Sequence, residues 1–120
     1  MILVDTSIWV DHLRTGNRQL TALLEAGRVL AHPFVIGELA LGRLNPRNTI
    51  LAALADLPQV RVATDREVLE FIKLHALAGL GIGYVDVHLL AAARLSEDAS
   101  LWTNDRRLHA IAGRLALAAT

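Results

Sequence analysis

The sequence predicts an α/β fold, a short parallel sheet with helices on both faces, and three observations point to it. Short apolar runs rich in Val, Ile and Leu alternate with longer stretches of helical periodicity. The composition is 53% hydrophobic but only 4% aromatic, so the core must be built from Leu, Ala, Val and Ile, which suits helices packed on a buried sheet. At 120 residues the chain can bury such a core without cross-links, and it has no cysteine to make any. No linker, repeat or low-complexity tract interrupts it, so residues 1–120 are expected to form a single domain.

Taken in order, Met1–Asp5 is an apolar run that stops at an acid and reads as a buried strand. A helix follows over Ser7–Arg14 and ends near Gly16; another runs from Arg18 to Ala26, with Leu20, Leu23 and Leu24 on one face and Gly27 as its stop. Val29–Ala31 is a second short strand. Pro33 suits the first turn of a helix that carries Phe34, Val35, Ile36, Leu39 and Leu41 and closes near Gly42. Asn45-Pro46 restarts a helix that runs to Ala55, and Leu57-Pro58 breaks it before a short strand at Val60–Val62. Asp65 is expected to cap a long helix to about Ala78. Gly79, Gly81 and Gly83 form a loop, and a helix follows over Tyr84–Leu95. Ser100–Thr103 is a strand, Asn104 or Asp105 opens a helix to about Ala112, and Leu115–Ala118 is expected as a last strand.

Several functional classes are disfavoured at once. The N-terminus MILVDTSIWV has no basic leader and no small-residue cleavage site, so no signal peptide is expected, and the absence of cysteine is compatible with a reducing cytosol. Leu74–Ala93 is long enough to span a bilayer, but Asp86 and three glycines interrupt it, so it reads as a buried, Gly-broken segment rather than a membrane span. Net charge is zero, which argues against strong non-specific nucleic-acid binding through bulk charge, although all the basic residues except Lys73 are arginines. The five histidines, His12, His32, His75, His88 and His109, do not pair at helical metal-ligand spacing and read as structural or surface residues. The Gly79–Gly83 loop is not a dinucleotide fingerprint, and there is no phosphate-binding P-loop. Trp9 and Trp102 are expected in the core or an interface, with base stacking as a lesser alternative.

The acids carry the chemical signal. Of the 12, eight sit among polar residues or on helix surfaces and need no special account. The other four do not. Asp5 ends an apolar strand; Glu38 is the only charge between Arg28 and Arg43; Asp86 stands alone in its apolar run; Asp105 follows the Leu101–Thr103 run. An ionised carboxylate in such surroundings is costly unless it is paired, hydrogen-bonded or bound to metal. Helix capping accounts for Asp5, Asp86 and Asp105 taken singly. Glu38 lies a turn inside its helix, where capping explains little and a buried Arg pair is the plainer account. In an open α/β sheet, ligands bind beyond the carboxyl ends of the strands, where these acids would converge. Converging carboxylates stay ionised together only if cations neutralise them, and an all-oxygen set favours Mg²⁺ or Mn²⁺. Such a site suits phosphodiester hydrolysis. Ser7, Thr103 and Asn104 would support the carboxylates, or simply cap helices. Arg43, Arg47, Arg106 and Arg107 would contact substrate phosphates or the acids, with solvated helix-end charges as the plainer reading.

The segments ILVDTSIWVDHLR, HPFVIGELALG, GIGYVDVHLLAAA and LWTNDRRL, in this order and spacing, resemble the PIN-domain toxins of the VapC family from Met1 to about Leu108. The resemblance implies a three-layer α/β/α PIN-like domain and a cytoplasmic Mg²⁺- or Mn²⁺-dependent endoribonuclease. It further implies a type II toxin that blocks translation by cutting transfer or ribosomal RNA, leaving a 5′-phosphate and a 3′-hydroxyl. A VapB-type antitoxin and a homodimer are implied as partners. Carried over by position, Asp5 and Asp86 match the acids most directly bound to metal, and Glu38 and Asp105 complete the catalytic and metal-binding quartet, Asp105 by the softer match. The Ala/Leu-rich helices at 20–24, 35–41 and 50–57 are the expected antitoxin surface. The alternative is a non-catalytic Mg²⁺-binding α/β regulatory module. A receiver-like module of that kind would be expected to carry an acid pair near the first strand and a late Lys; this chain offers Asp5 alone there, and its only Lys, Lys73, lies in mid-helix.

Overall fold

The computed structural model describes residues 1–119. The sheet comprises β1 (Ile2–Val4), β2 (Val29–Leu30) and β3 (Ser100–Trp102), all parallel, in the order β2-β1-β3. Ile2 pairs with Val29 and Ser100, Leu3 with Leu30 and Leu101, and Val4 with Trp102. Leu3, Val4 and Leu101 have no solvent exposure, as expected of strands covered on both faces.

Among the described residues seven helices surround the sheet: α1 (Thr6–Thr15), α2 (Arg18–Glu25), α3 (Pro33–Ala40), α4 (Arg47–Ala55), α5 (Asp65–Leu74), α6 (Tyr84–Leu95) and α7 (Arg106–Arg114). Right-handed crossovers between parallel strands put α1–α4 on one face and α5–α7 on the other. The packing agrees, with α1 on α3, α3 on α4, α5 on α6, and α6 on β3. Seven consecutive residues of α6, Val87–Ala93, are buried, so the long apolar run is an interior helix. Among the described residues no helix is long and apolar enough to cross a membrane.

Two expected strands shrink to single bridges. Val60–Val62 is not a strand; Gln59 alone bridges Ala31, with Ala31 N–H bonded to Pro58 O and Val60 N–H to Ala31 O. The pairing stops there because the next donor toward this segment would be Pro33, which has no N–H and is already the first residue of α3; Arg61 N–H, on the other edge, bonds Ser96 Oγ. At the other edge Ala118 bridges Leu101, while Leu115 and Ala116 still belong to the close of α7: Ala116 adopts a positive φ, and Leu117 N–H returns to Ala112 O. The same type of close ends α5 at Leu74 rather than Ala78, with Ala76 at positive φ and Leu77 N–H on Ile72 O. The cap of α5 is Thr64, not Asp65: Thr64 Oγ1 accepts from Glu67 N–H and Glu67 Oε1 from Thr64 N–H, a reciprocal box that also holds the Glu67 carboxyl below its usual range.

Candidate active site

The site lies beyond the carboxyl ends of β1 and β3, where the chain turns from strand to helix. Asp5 follows β1 directly and is the N-cap of α1, so its backbone is extended while its side chain faces the first helical turn. It is only 7% exposed. A carboxylate this buried needs donors, and it has three. Oδ1 accepts from Thr6 N–H at 2.8 Å; Oδ2 accepts from the Ser7 hydroxyl at 2.9 Å and the Thr103 hydroxyl at 2.7 Å.

Those hydroxyls tie Asp5 to the end of β3. Ser7 Oγ accepts from Asn104 N–H at 3.0 Å, and Thr103 Oγ1 accepts from Asp105 N–H at 3.0 Å. Asp105 caps α7 through Leu108 N–H at 2.9 Å. Asn104 Nδ2 donates to Asp11 Oδ2 at 2.9 Å, which fastens the start of α7 to α1. Ser7 and Thr103 therefore cap no helix with their side chains; they orient Asp5. Glu38 reaches the same place from α3, where its Oε1 accepts from the Thr6 hydroxyl at 2.7 Å. Thr6 escaped the sequence reading, although the D-T-S order placed a hydroxyl beside Asp5.

Asp86 arrives on the first turn of α6, with Oδ2 accepting from Gly83 N–H at 3.0 Å. Its carboxyl is pushed above the ordinary carboxylate range, first by burial and then by the charges of Asp5, Asp105 and Glu38, against the opposing effect of the Gly83 bond. Asp86 is thus within electrostatic reach of the other three acids singled out in the sequence. Together they do not form a ready-made cage: among the described residues no three His, Asp or Glu side chains converge closely enough to hold an ion as they stand. The donor set nonetheless fits a hard divalent cation, being all carboxylate oxygen on a hydroxyl-braced frame.

Gly81, in the loop before α6, has φ +81°, and a Cβ there would collide with the Arg107 guanidinium. Arg107 therefore lies across this loop, close to Asp105 in sequence. Arg47 is occupied elsewhere, capping α3 through Ala40 O at 2.8 Å.

A family model for the PIN domain matches residues 2–114, a span that holds all four acids. The chain belongs to the VapC family of PIN-domain proteins. Two relatives carry that name, each called Ribonuclease VapC32 and each from Mycobacterium tuberculosis, one from strain CDC 1551 / Oshkosh and one from strain H37Rv. Each is 46% identical to this chain over 110 residues, covering 92% of this chain and 89% of the relative. Nucleases of the PIN family generally use divalent metal, which agrees with the acidic donor set of this VapC-family member.

Two of its histidines are more deeply placed than surface residues. His32 and His88 are 0% and 1% exposed, and their rings lie 6.3 Å apart. His32 caps α3 by accepting from Phe34 N–H through Nδ1 at 2.9 Å, and burial, then the neighbouring His88, pulls its pKa down to about 4. Trp9 is buried in the core, and Trp102 is half-buried at the rim of a small surface cleft with Ile2, Leu23 and Arg28.

Proposed function

We propose that this chain, acting as a single domain, is a cytoplasmic type II toxin: a Mg²⁺- or Mn²⁺-dependent endoribonuclease that hydrolyses RNA phosphodiesters in transfer or ribosomal RNA. The observation that carries the reading is the Asp86 carboxyl, raised by burial and by the charges of three other acids drawn from separate parts of the chain. Such a concentration of carboxylate opposes folding and is relieved by a bound cation.

In this reading Asp5 and Asp86 hold the cation, and Glu38 and Asp105 complete its surroundings. When bound, the ion would acidify a water and neutralise charge on the phosphate. The chain's own contribution is orientation. The Ser7 and Thr103 hydroxyls fix Asp5 Oδ2, Thr6 fixes Glu38 Oε1, and the Gly83 N–H fixes Asp86 Oδ2. Glu38, whose Oε1 is held by Thr6 while Oε2 makes no protein hydrogen bond among the described residues, is the group proposed to take a proton from the attacking water. In-line attack with departure of the 3′-oxygen leaves a 5′-phosphate and a 3′-hydroxyl.

A VapB-type antitoxin and a second copy of the chain are the proposed partners. Support for the antitoxin is an apolar groove between α1, α2 and α4, lined by Trp9, Leu13, Leu24, Ile50 and Leu57. This corresponds to the helices at 20–24 and 50–57; of the third, 35–41, Val35 and Leu39 are buried, while Leu41 is 90% exposed.

The test is RNA cleavage by Asp5→Asn and Asp86→Asn, each checked for folding by circular dichroism, with and without EDTA. Loss of cleavage in both variants, and in the parent chain with EDTA, is expected. Full activity in either variant would sink the metal assignment, and cleavage unaffected by EDTA would sink the cation requirement.

A further inference from the structure

We infer that Phe34 and Tyr84 form a stacking platform for an unpaired RNA base beside the acidic crevice; this rests on the ribonuclease reading above. Aromatic side chains are scarce here, with Phe 2, Trp 2 and Tyr 1. Trp9 and Phe71 are buried and Trp102 is half-buried, whereas Phe34 is 37% and Tyr84 46% exposed. The two rings left open to solvent stand on the first turns of α3 and α6, the helices that carry Glu38 and Asp86. Phe34 lies four residues before Glu38, on the same face of α3. Tyr84 opens α6 in the turn that holds Asp86.

The rings are also held in place. Both pack on His88, with centroids 4.6 Å away for Phe34 and 4.8 Å for Tyr84, and Phe34 packs on His32 at 4.9 Å. The Tyr84 hydroxyl donates to Asp65 Oδ1 at 3.0 Å, which fixes its direction. A pair of fixed, partly exposed aromatic faces costs little further ordering when a base lies on them.

The charge distribution favours such a platform. Net charge is zero, so no bulk basic field draws RNA in. Arg47, Arg94 and Arg114 are bonded to main-chain carbonyls and Arg66 pairs with Glu70, which thins the supply of guanidinium for phosphates. Four carboxylates at the crevice add repulsion toward a polyanion. Stacking is an attraction that charge does not oppose, and it selects bases already out of a duplex.

The experiment measures binding in EDTA by fluorescence anisotropy, using a fluorescein-labelled single-stranded RNA of mixed sequence and a duplex of the same length. Phe34→Leu and Tyr84→Leu should each weaken single-strand binding by roughly 5- to 150-fold. Duplex binding and the slope of affinity against salt should stay as in the parent chain, because no phosphate contact is lost. Tyr84→Phe should restore most of the affinity. A second arm leaves the protein untouched: the parent chain should bind the same strand bearing abasic sites as weakly as the Leu variants bind the intact strand. Single-strand affinity within about twofold of the parent in both Leu variants, equal losses on both RNAs, or indifference to abasic sites would each overturn the platform. Cleavage surviving in Asp5→Asn would refute the metal reading and leave this binding result standing, so the two failures are distinguishable.

Discussion

Thr103→Val isolates the brace that orients Asp5. Valine keeps the outline of threonine and deletes the hydroxyl, which donates to Asp5 Oδ2 at 2.7 Å and accepts from Asp105 N–H at 3.0 Å. Thr103 is buried and Asp5 is 7% exposed, so water replaces neither bond well. The bond to a charged carboxylate contributes about 2 kcal/mol, and the Asp105 N–H adds about 1 kcal/mol if left without a partner. Asp5 keeps its Ser7 and Thr6 donors, which sets the net loss at about 2 kcal/mol, or roughly 8 °C in melting temperature for a chain of this size. Misorientation of a metal-holding carboxylate should lower kcat/KM by about 10- to 100-fold. Thr103→Ser keeps the hydroxyl and is the control. Adding Ser7→Ala removes the other hydroxyl on the same oxygen, so the double variant should lose more than the sum of the single losses. Thermal denaturation and cleavage of a fluorogenic RNA read both effects. If Thr103→Val melts and cleaves like Thr103→Ser, the hydroxyl does not orient Asp5 and the argument fails.

Asp86→Asn should stabilise the metal-free chain at neutral pH. A carboxyl whose folded pKa is raised contributes stability below its unfolded value that is lost as pH rises through the folded value, so the ionised group is a burden at pH 7. The same substitution should abolish the rise in melting temperature that Mg²⁺ gives the parent; a Mg²⁺ response retained in Asp86→Asn would refute it. His32 works in the opposite pH direction: with its pKa lowered from 6.5 to about 4, stability is present above 6.5 and drains away as pH falls toward 4, by up to roughly 3 kcal/mol. His32→Asn keeps an acceptor for Phe34 N–H, and urea unfolding across that range should then show a shallower acid loss; an unchanged profile would count against the assignment. Gly81→Ala should cost about 1–2 kcal/mol, from a positive φ and the collision with Arg107. Arg107→Ala in the same chain should return the steric part alone, and purely additive losses in urea unfolding would show that the two residues do not touch.

The β1–α1 junction was legible because one stretch carries two signals, an apolar run ended by an acid and hydroxyls at the start of a helix. The interior helix after the Gly79–Gly83 loop was equally plain, since Asp86 and the glycines break what would otherwise be a membrane-length run. The edges of the sheet were not. Val60–Val62 has strand composition, but whether it pairs is decided by its neighbour, which leaves the sheet for α3 at Pro33, well before it in the chain, and has no N–H there to offer. Ala76 and Ala116 hold positive φ without being glycine or asparagine, so the ends of α5 and α7 carried no residue-type mark. Among the acids, Glu38 was found by its isolation in an apolar helix, but its partner Thr6 was not, because a hydroxyl at the start of a helix has the same appearance whether it caps the chain or reaches a distant carboxylate. Phe34, Tyr84, His32 and His88 read as ordinary apolar, structural or surface positions; their grouping comes from α6 packing on the start of α3, which no local pattern encodes.

The sheet that indexes Asp5 is three residues deep. Only Ile2, Leu3 and Val4 align the central strand with its neighbours, and the acid stands at the next position. Sliding that strand by a single step would turn Asp5 toward the opposite layer and bring Val4 to the mouth of the crevice. The full burial of Leu3 and Val4 makes either slip expensive, since each would carry an apolar side chain out of its seat. Insertion or deletion of a residue within Ile2–Asp5 is consequently closed off, whereas the loops between the helices can lengthen without moving the acid.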